Sequence, residues 1–128
     1  MKELTRAEEQ IMQILWKRGK GFVKEIVSDF PDPKPAYNTV STIVRILEKK
    51  KFVGYKAYGK SHEYFPVVER EQYTTSFGKQ FIKNYFEGSF KEMVSFFARK
   101  ENLGVNDIDS LLSDIKKDIE NEKRNSDG

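Results

Sequence analysis

The 128-residue sequence predicts a mainly α fold carrying one small β-hairpin. Three observations predict it. Apolar residues recur with a helical period from Ala7 to Leu47, and again from Phe77 to Ile119. Between those stretches, FVGYKAYGKSHEYFPV is rich in aromatic and β-branched residues around a glycine turn, which is strand chemistry. The charge is also uneven: residues 1–68 are net +5 and residues 69–128 net −2, within a chain of net charge +3. Two regions with different partners are therefore expected, divided near residue 68.

Composition removes several classes of function. Hydrophobic residues make up 38% of the chain and aromatics 13%, enough for a real core. There is no cysteine, so disulfide scaffolds, thiol nucleophiles and thiolate metal sites are excluded. One histidine, His62, is too few for an ordinary zinc site. No apolar run approaches the ~20 residues that span a bilayer, and MKELTRAEEQ has no hydrophobic signal region. A soluble cytoplasmic protein with no cofactor, metal or membrane insertion is expected. No nucleophile–base–orienter set is visible, and Glu8-Glu9 reads as helix-surface charge, so an enzyme is not expected.

The elements follow in order. Thr5-Arg6-Ala7-Glu8 is a capping box that opens a helix with Ala7, Ile11, Ile14 and Leu15 on one face, ended by Gly19 and Gly21. A short second helix carries Phe22, Val23, Ile26, Val27 and Phe30. Pro31, Pro33 and Pro35 then force an extended turn. In AYNTVSTIVRILEKKKF, Val40, Ile43, Val44 and Leu47 form a buried stripe, while Asn38, Ser41, Thr42 and Arg45 share the opposite face. Solvated helix faces favour Glu, Lys and Gln. Short polar side chains instead let a helix approach another surface closely, as in a DNA major groove. The alternative is a plain solvated face. Over Lys34–Lys60 the cations Lys34, Arg45, Lys49, Lys50, Lys51, Lys56 and Lys60 are opposed by Glu48 and are the footprint of a nucleic-acid binder. The hairpin turns at Gly59-Lys60-Ser61, and Pro66 places its second strand at an edge or near its end. Helix, helix, turn, helix, hairpin is the order of a winged helix-turn-helix, with the third helix reading bases and the hairpin as wing.

From Glu69 the pattern is helical. Phe77, Phe81, Tyr85 and Phe86 form one stripe. Ser89-Phe90-Lys91-Glu92 is a second capping box, opening a helix with Phe90, Met93, Val94 and Phe97 inward. After Gly104, a third helix aligns Ile108, Leu111, Leu112, Ile115 and Ile119. So many large apolar side chains are costly to leave in water, at about 2 kcal/mol each. Packing against a second copy of the chain covers them; docking onto the chain's own first region is the alternative. The expected organisation is a winged-helix DNA-binding domain at 1–68, a helical dimerisation domain at 69–122, and a disordered polar tail at 123–128.

LTRAEEQIMQILWKRG followed by AYNTVSTIVRILEKKKFV resembles the penicillinase-repressor (BlaI/MecI/CopY) family. The combination of LTxAExxIMxxLW with YNTVxTxxxxLxKK is specific, and the resemblance is strong in the first region and looser after Glu69. It implies a dimeric winged-helix transcriptional repressor acting on bacterial operons, those of antibiotic resistance among them. By position, Asn38, Thr39, Ser41, Thr42 and Arg45 fall where the family's recognition helix meets bases and phosphates. Tyr37 lies near that helix's start, and Lys49 joins the DNA-binding set. Lys56, Tyr58, Lys60, Ser61 and His62 lie along the wing. The expected partners are a double-stranded DNA operator and a second copy.

The sequence also departs from the family. Ser41 and Ile46 stand where β-lactam-resistance repressors often carry arginine, so the operator cannot be borrowed. Lys51 replaces a frequent glycine, so the end of the recognition helix is expected to differ. In the β-lactam branch a membrane metalloprotease sensor cuts an Asn–Phe bond in the dimerisation region. The matching stretch is Ser95-Phe96-Phe97-Ala98, which makes Phe96–Phe97 the candidate cleavage bond. Phe96 falls off the inward stripe, and the alternative is that it supplies a dimer contact. The copper-sensing branch uses a C-terminal cysteine cluster that this chain lacks. Two other functions fit a winged helix: a protein-interaction adaptor, and a regulator gated by a ligand among the aromatics of the second region.

Overall fold

The computed structural model describes residues 1–127. Helix α1 (Arg6–Arg18) starts at the expected capping box: the Glu8 N–H donates to Thr5 Oγ1 at 3.2 Å, and the Thr5 N–H donates to Glu8 Oε1 at 2.9 Å. A two-residue strand β1 (Gly21–Phe22) and helix α2 (Val23–Ser28) come next, then α3 (Tyr37–Lys49) and the strands β2 (Val53–Tyr58) and β3 (Ser61–Pro66). The described residues continue through α4 (Arg70–Phe86), α5 (Phe90–Lys100) and α6 (Val105–Asp127). The expected mainly helical fold with a β-hairpin wing is what forms.

The sheet is antiparallel in the order β1-β3-β2. Strand β1 has no signature in the sequence, because two residues carry no periodic signal. Gly21 pairs with Tyr64 and Phe22 with Glu63, which makes β3 the central strand. Pro66 therefore ends a central strand, where its missing N–H costs no ladder bond, and does not mark an edge. The hairpin turn is also shorter than expected. Tyr58 pairs with Ser61, leaving Gly59-Lys60 as the loop, with φ +62 at Gly59, the first central position. That is the pattern of a type II′ turn, whose twist matches the strands it joins.

Two compact units divide the chain, residues 1–79 and 80–128. The boundary falls inside α4 and not at 68/69, and Tyr73 explains why. Its ring lies 5.9 Å from Trp16 and 6.0 Å from Phe52, and its hydroxyl accepts the Leu4 N–H at 3.1 Å. The start of α4 thus belongs to the first core. That core joins Ile11, Met12 and Leu15 of α1 to Ile26 of α2 and to Val40, Val44 and Leu47 of α3. Phe52, Val53 and Tyr64 close it from the sheet side.

The second unit is built differently. The expected second capping box forms only in half: Ser89 Oγ accepts the Glu92 N–H at 3.1 Å, but the Ser89 N–H donates to the Phe86 carbonyl. Phe81 packs beside Tyr85, Phe86 and Phe97 with ring centroids 5.2–6.4 Å apart. Phe96 sits 5.6 Å from Phe86 and so joins this cluster, contrary to its expected place off the stripe. Helix α6 continues through residues 123–127, a stretch read from the sequence as disordered tail. Glu, Lys and Arg are strong helix formers and extend an existing helix without a core beneath them. Gly128, the last residue of that stretch, lies outside the described residues.

Candidate nucleic-acid interface

Helix α3 sorts its side chains by period. Val40, Val44 and Leu47 are buried and Ile43 packs against the same core. Asn38, Thr42, Arg45 and Lys49, at i, i+4, i+7 and i+11, are exposed on the opposite side. Thr39 is exposed beside them, whereas Ser41 is half-buried on the side facing the hairpin. The residue before α3, Ala36, offers no side-chain cap. The first-turn N–H groups consequently lack a side-chain partner and favour an anion.

A groove of about 820 Å3 separates α3 from the wing. Tyr37, Ser41 and Arg45 line it from α3, and Tyr58, Lys60, Ser61 and His62 from the hairpin. These seven expected site residues are brought together. Asn38, Thr39, Thr42 and Lys49 stand outside the groove on the outer surface of α3. Lys56 does not line the groove; it lies cross-strand from Glu63, with its ammonium 5.3 Å from the Tyr58 ring. Lys24, Tyr55 and Glu48 also line the groove and were not read from the sequence as site residues. Tyr55 could have been recognised by its register: it shares a ribbon face with His62, and the two rings stack at 4.1 Å with an interplanar angle of 8°. Lys24 could not, since only the fold brings α2 to the groove. Burial and then the Glu48 carboxylate push the Tyr64 phenol up.

The cations of residues 34–60 have different tasks. Lys34 donates to the carbonyls of Ser28 and Phe30 at 2.8 and 2.7 Å, closing the end of α2. Lys50 straddles the buried carboxylate of Glu8, 2.9 Å from Oε1 and 2.8 Å from Oε2, and so locks the end of α3 to the start of α1. The Oε1 contact is a directed hydrogen bond and the Oε2 contact is electrostatic. Burial alone raises the Glu8 carboxyl, but Lys50 and the Thr5 hydrogen bonds outweigh it and hold it below its ordinary value. Arg45, Lys49, Lys51, Lys56 and Lys60 form no ion pair among the described residues. Five cations around α3 and the wing are therefore uncommitted to any carboxylate among the described residues.

Lys51 takes the left-handed backbone conformation, φ +66, in place of the expected glycine. Its N–H donates to the Glu48 carbonyl and the Phe52 N–H to that of Leu47, both at 2.9 Å. This is the Schellman closure, so the change of residue has not changed the cap as the sequence suggested. The Leu47–Phe52 pairing, buried in the core, holds the lysine there at a steric cost.

In the second unit no residue of α5 or α6 is buried among those described. Tyr85, Phe90, Val94, Phe97, Leu111, Leu112, Ile115 and Ile119 are exposed, and Phe81, Phe86, Met93 and Ile108 half-buried. Phe77, expected with them, belongs to the first unit, where its ring lies 6.1 Å from that of Tyr73. Phe96–Phe97 lies in the middle of α5. No group among the described residues is arranged to hold a metal ion. No described helix is long and apolar enough to cross a membrane.

A three-helix core, a β-hairpin wing and a polar, cation-flanked third helix define a winged helix-turn-helix protein of the DNA-binding class. Residues 4–117 match the family model for the penicillinase repressor, and the chain belongs to that family of DNA-binding transcriptional repressors, which are not enzymes. It is 28% identical over 116 residues to the methicillin resistance regulatory protein MecI of Staphylococcus aureus strain N315, covering 90% of this chain and 94% of MecI. It is 21% identical over 123 residues to the penicillinase repressor of Bacillus licheniformis, covering 95% of each. Among solved structures, the repressor CopR aligns over 53% of this chain and all of its own, at 28% identity and a TM-score of 0.44.

Proposed function

We propose that the chain is a dimeric, sequence-specific repressor that occupies a pseudo-palindromic operator. Each protomer inserts α3 into a major groove and lays the wing along the adjacent backbone. Half-sites then lie about one helical turn, ~34 Å, or a multiple of it apart. The observation that carries this reading is the outer surface of α3, where Asn38, Thr42, Arg45 and Lys49 are exposed and Arg45, Lys49 and Lys51 form no ion pair among the described residues. Base-reading falls to Asn38 and Thr42, phosphate contact to Arg45, Lys49 and Lys60. The open apolar surface of α5 and α6 supports the dimer. Repression of antibiotic-resistance genes is the role that MecI and the penicillinase repressors suggest.

Release by proteolysis at Phe96–Phe97 belongs to the same proposal. Because that bond is inside a hydrogen-bonded helix, a protease must first open α5. Mass mapping of fragments from induced cells tests it, and an intact chain under full derepression would sink it.

The experiment for the central reading is fluorescence-anisotropy binding to DNA upstream of the chain's own gene, against scrambled duplex, at two salt concentrations. Specific binding that weakens steeply with salt is expected. Arg45→Ala weakens binding to both duplexes. Asn38→Ala narrows the gap between them, a base contact being worth about 1–3 kcal/mol. No binding even at low salt would overturn the reading in favour of a protein-interaction adaptor.

A further inference from the structure

Helix α3 carries one side chain that fits neither its core face nor its polar face. Ile46 is 42% exposed, whereas Val40, Val44 and Leu47 are buried and Ile43 packs on the core. It lies one turn beyond Thr42 and two beyond Thr39, on the shoulder of α3 that turns away from the wing groove. Thr42 adds to the same character. Its hydroxyl donates to the Asn38 carbonyl at 2.9 Å, so its proton is committed to the helix backbone. What Thr42 offers outward is a methyl group and an acceptor lone pair. Thr39, Thr42 and Ile46 therefore form a methyl-rich strip beside Lys49, on the helix that reads DNA.

We propose that this strip reads the C5-methyl group of thymine, with Ile46 as the specificity-determining residue. The inference rests on α3 entering the major groove, as argued above. The chemistry then leaves one partner. Among the major-groove edges, thymine alone presents an apolar protrusion; guanine, adenine and cytosine present donors and acceptors. An isoleucine has nothing to pair with those groups. Pressed against a polar edge it would strip away water without replacing its hydrogen bonds, so it selects for thymine and against the rest.

The test uses full-length protein and binding sites selected from a randomised duplex pool. Each thymine of a selected site is replaced in turn by deoxyuridine, which removes the methyl group and leaves base pairing intact. The wild-type protein should lose about fourfold in affinity at one or two thymines per half-site, the worth of one buried methyl. Ile46→Ala keeps the fold, since the residue is exposed and alanine is the better helix former. This variant should bind the thymine and deoxyuridine forms equally at one such position. Thr42→Ser should lose the methyl effect at the neighbouring position, and Thr42→Val should retain it. Equal deoxyuridine sensitivity in wild type and Ile46→Ala, or none in the wild type at any thymine, would overturn the proposal while leaving the operator reading in place. A selection that enriches no site would overturn both.

Discussion

The two units of this chain use the same periodic hydrophobic pattern and arrive at different ends. In the first, stripes on α1, α2 and α3 meet one another and the sheet, and Ile11, Leu15, Val44 and Leu47 lose all contact with water. In the second, α5 and α6 carry stripes just as regular, yet Leu112 and Ile119 remain about half exposed and Tyr85 is 73% exposed. A helical stripe reports that a face must be covered; it does not report by what. The first unit covers its own faces and keeps a polar surface on α3, while α5 and α6 of the second leave their apolar faces exposed.

The contrast can be broken most severely at Leu47. Leu47→Ala removes a fully buried side chain and should destabilise the first unit by about 3 kcal/mol, read by chemical denaturation, with no dependence on protein concentration. The matching change in the second unit is the pair Leu112→Lys and Ile115→Lys, which should leave the first unit's melting intact but yield a monomer in sedimentation. Operator affinity should then fall about 100-fold, as the second half-site loses its effective concentration. Concentration-independent unfolding of the wild-type protein, with unchanged sedimentation in the double variant, would show that these faces serve the single chain.

A smaller effect is expected where α3 is fastened to α1. Lys50→Met leaves the Glu8 carboxylate buried and unpaired, at a cost of about 2 kcal/mol. Because the folded Glu8 carboxyl is held below its ordinary value of 4.5, its contribution is present above that pH. It is lost as pH falls through the lower folded value. Denaturation of wild type and Glu8→Gln should therefore converge in acid and diverge toward neutrality. The smallest change is a gain: Lys51→Gly relieves a left-handed lysine and should add about 1 kcal/mol to thermal stability, with slightly weaker DNA binding from the lost charge.

Much of the first unit was legible in its residues, because helix caps, proline breaks and the Gly59 turn act locally. The position of α3 and its division into core and polar faces came from period alone. What escaped depended on distant partners. β1 exists only because β3 is beside it, and Lys24 reaches the groove only through the packing of α2. Lys34 and Lys50 look like DNA-facing cations in sequence and are spent on carbonyls and on Glu8. Phe96 falls off the inward stripe of α5 in sequence, yet it packs on Phe86. In the second unit the helices were readable and their surroundings were not, since no residue in the chain names the surface opposite.

The most direct test of the division of labour between the two units is native mass spectrometry of the full-length protein on a selected operator duplex. Two protomers on one duplex, with the Leu112→Lys/Ile115→Lys variant giving one, is the expected result. A wild-type complex of one protomer per duplex, binding with undiminished specificity, would contradict the account.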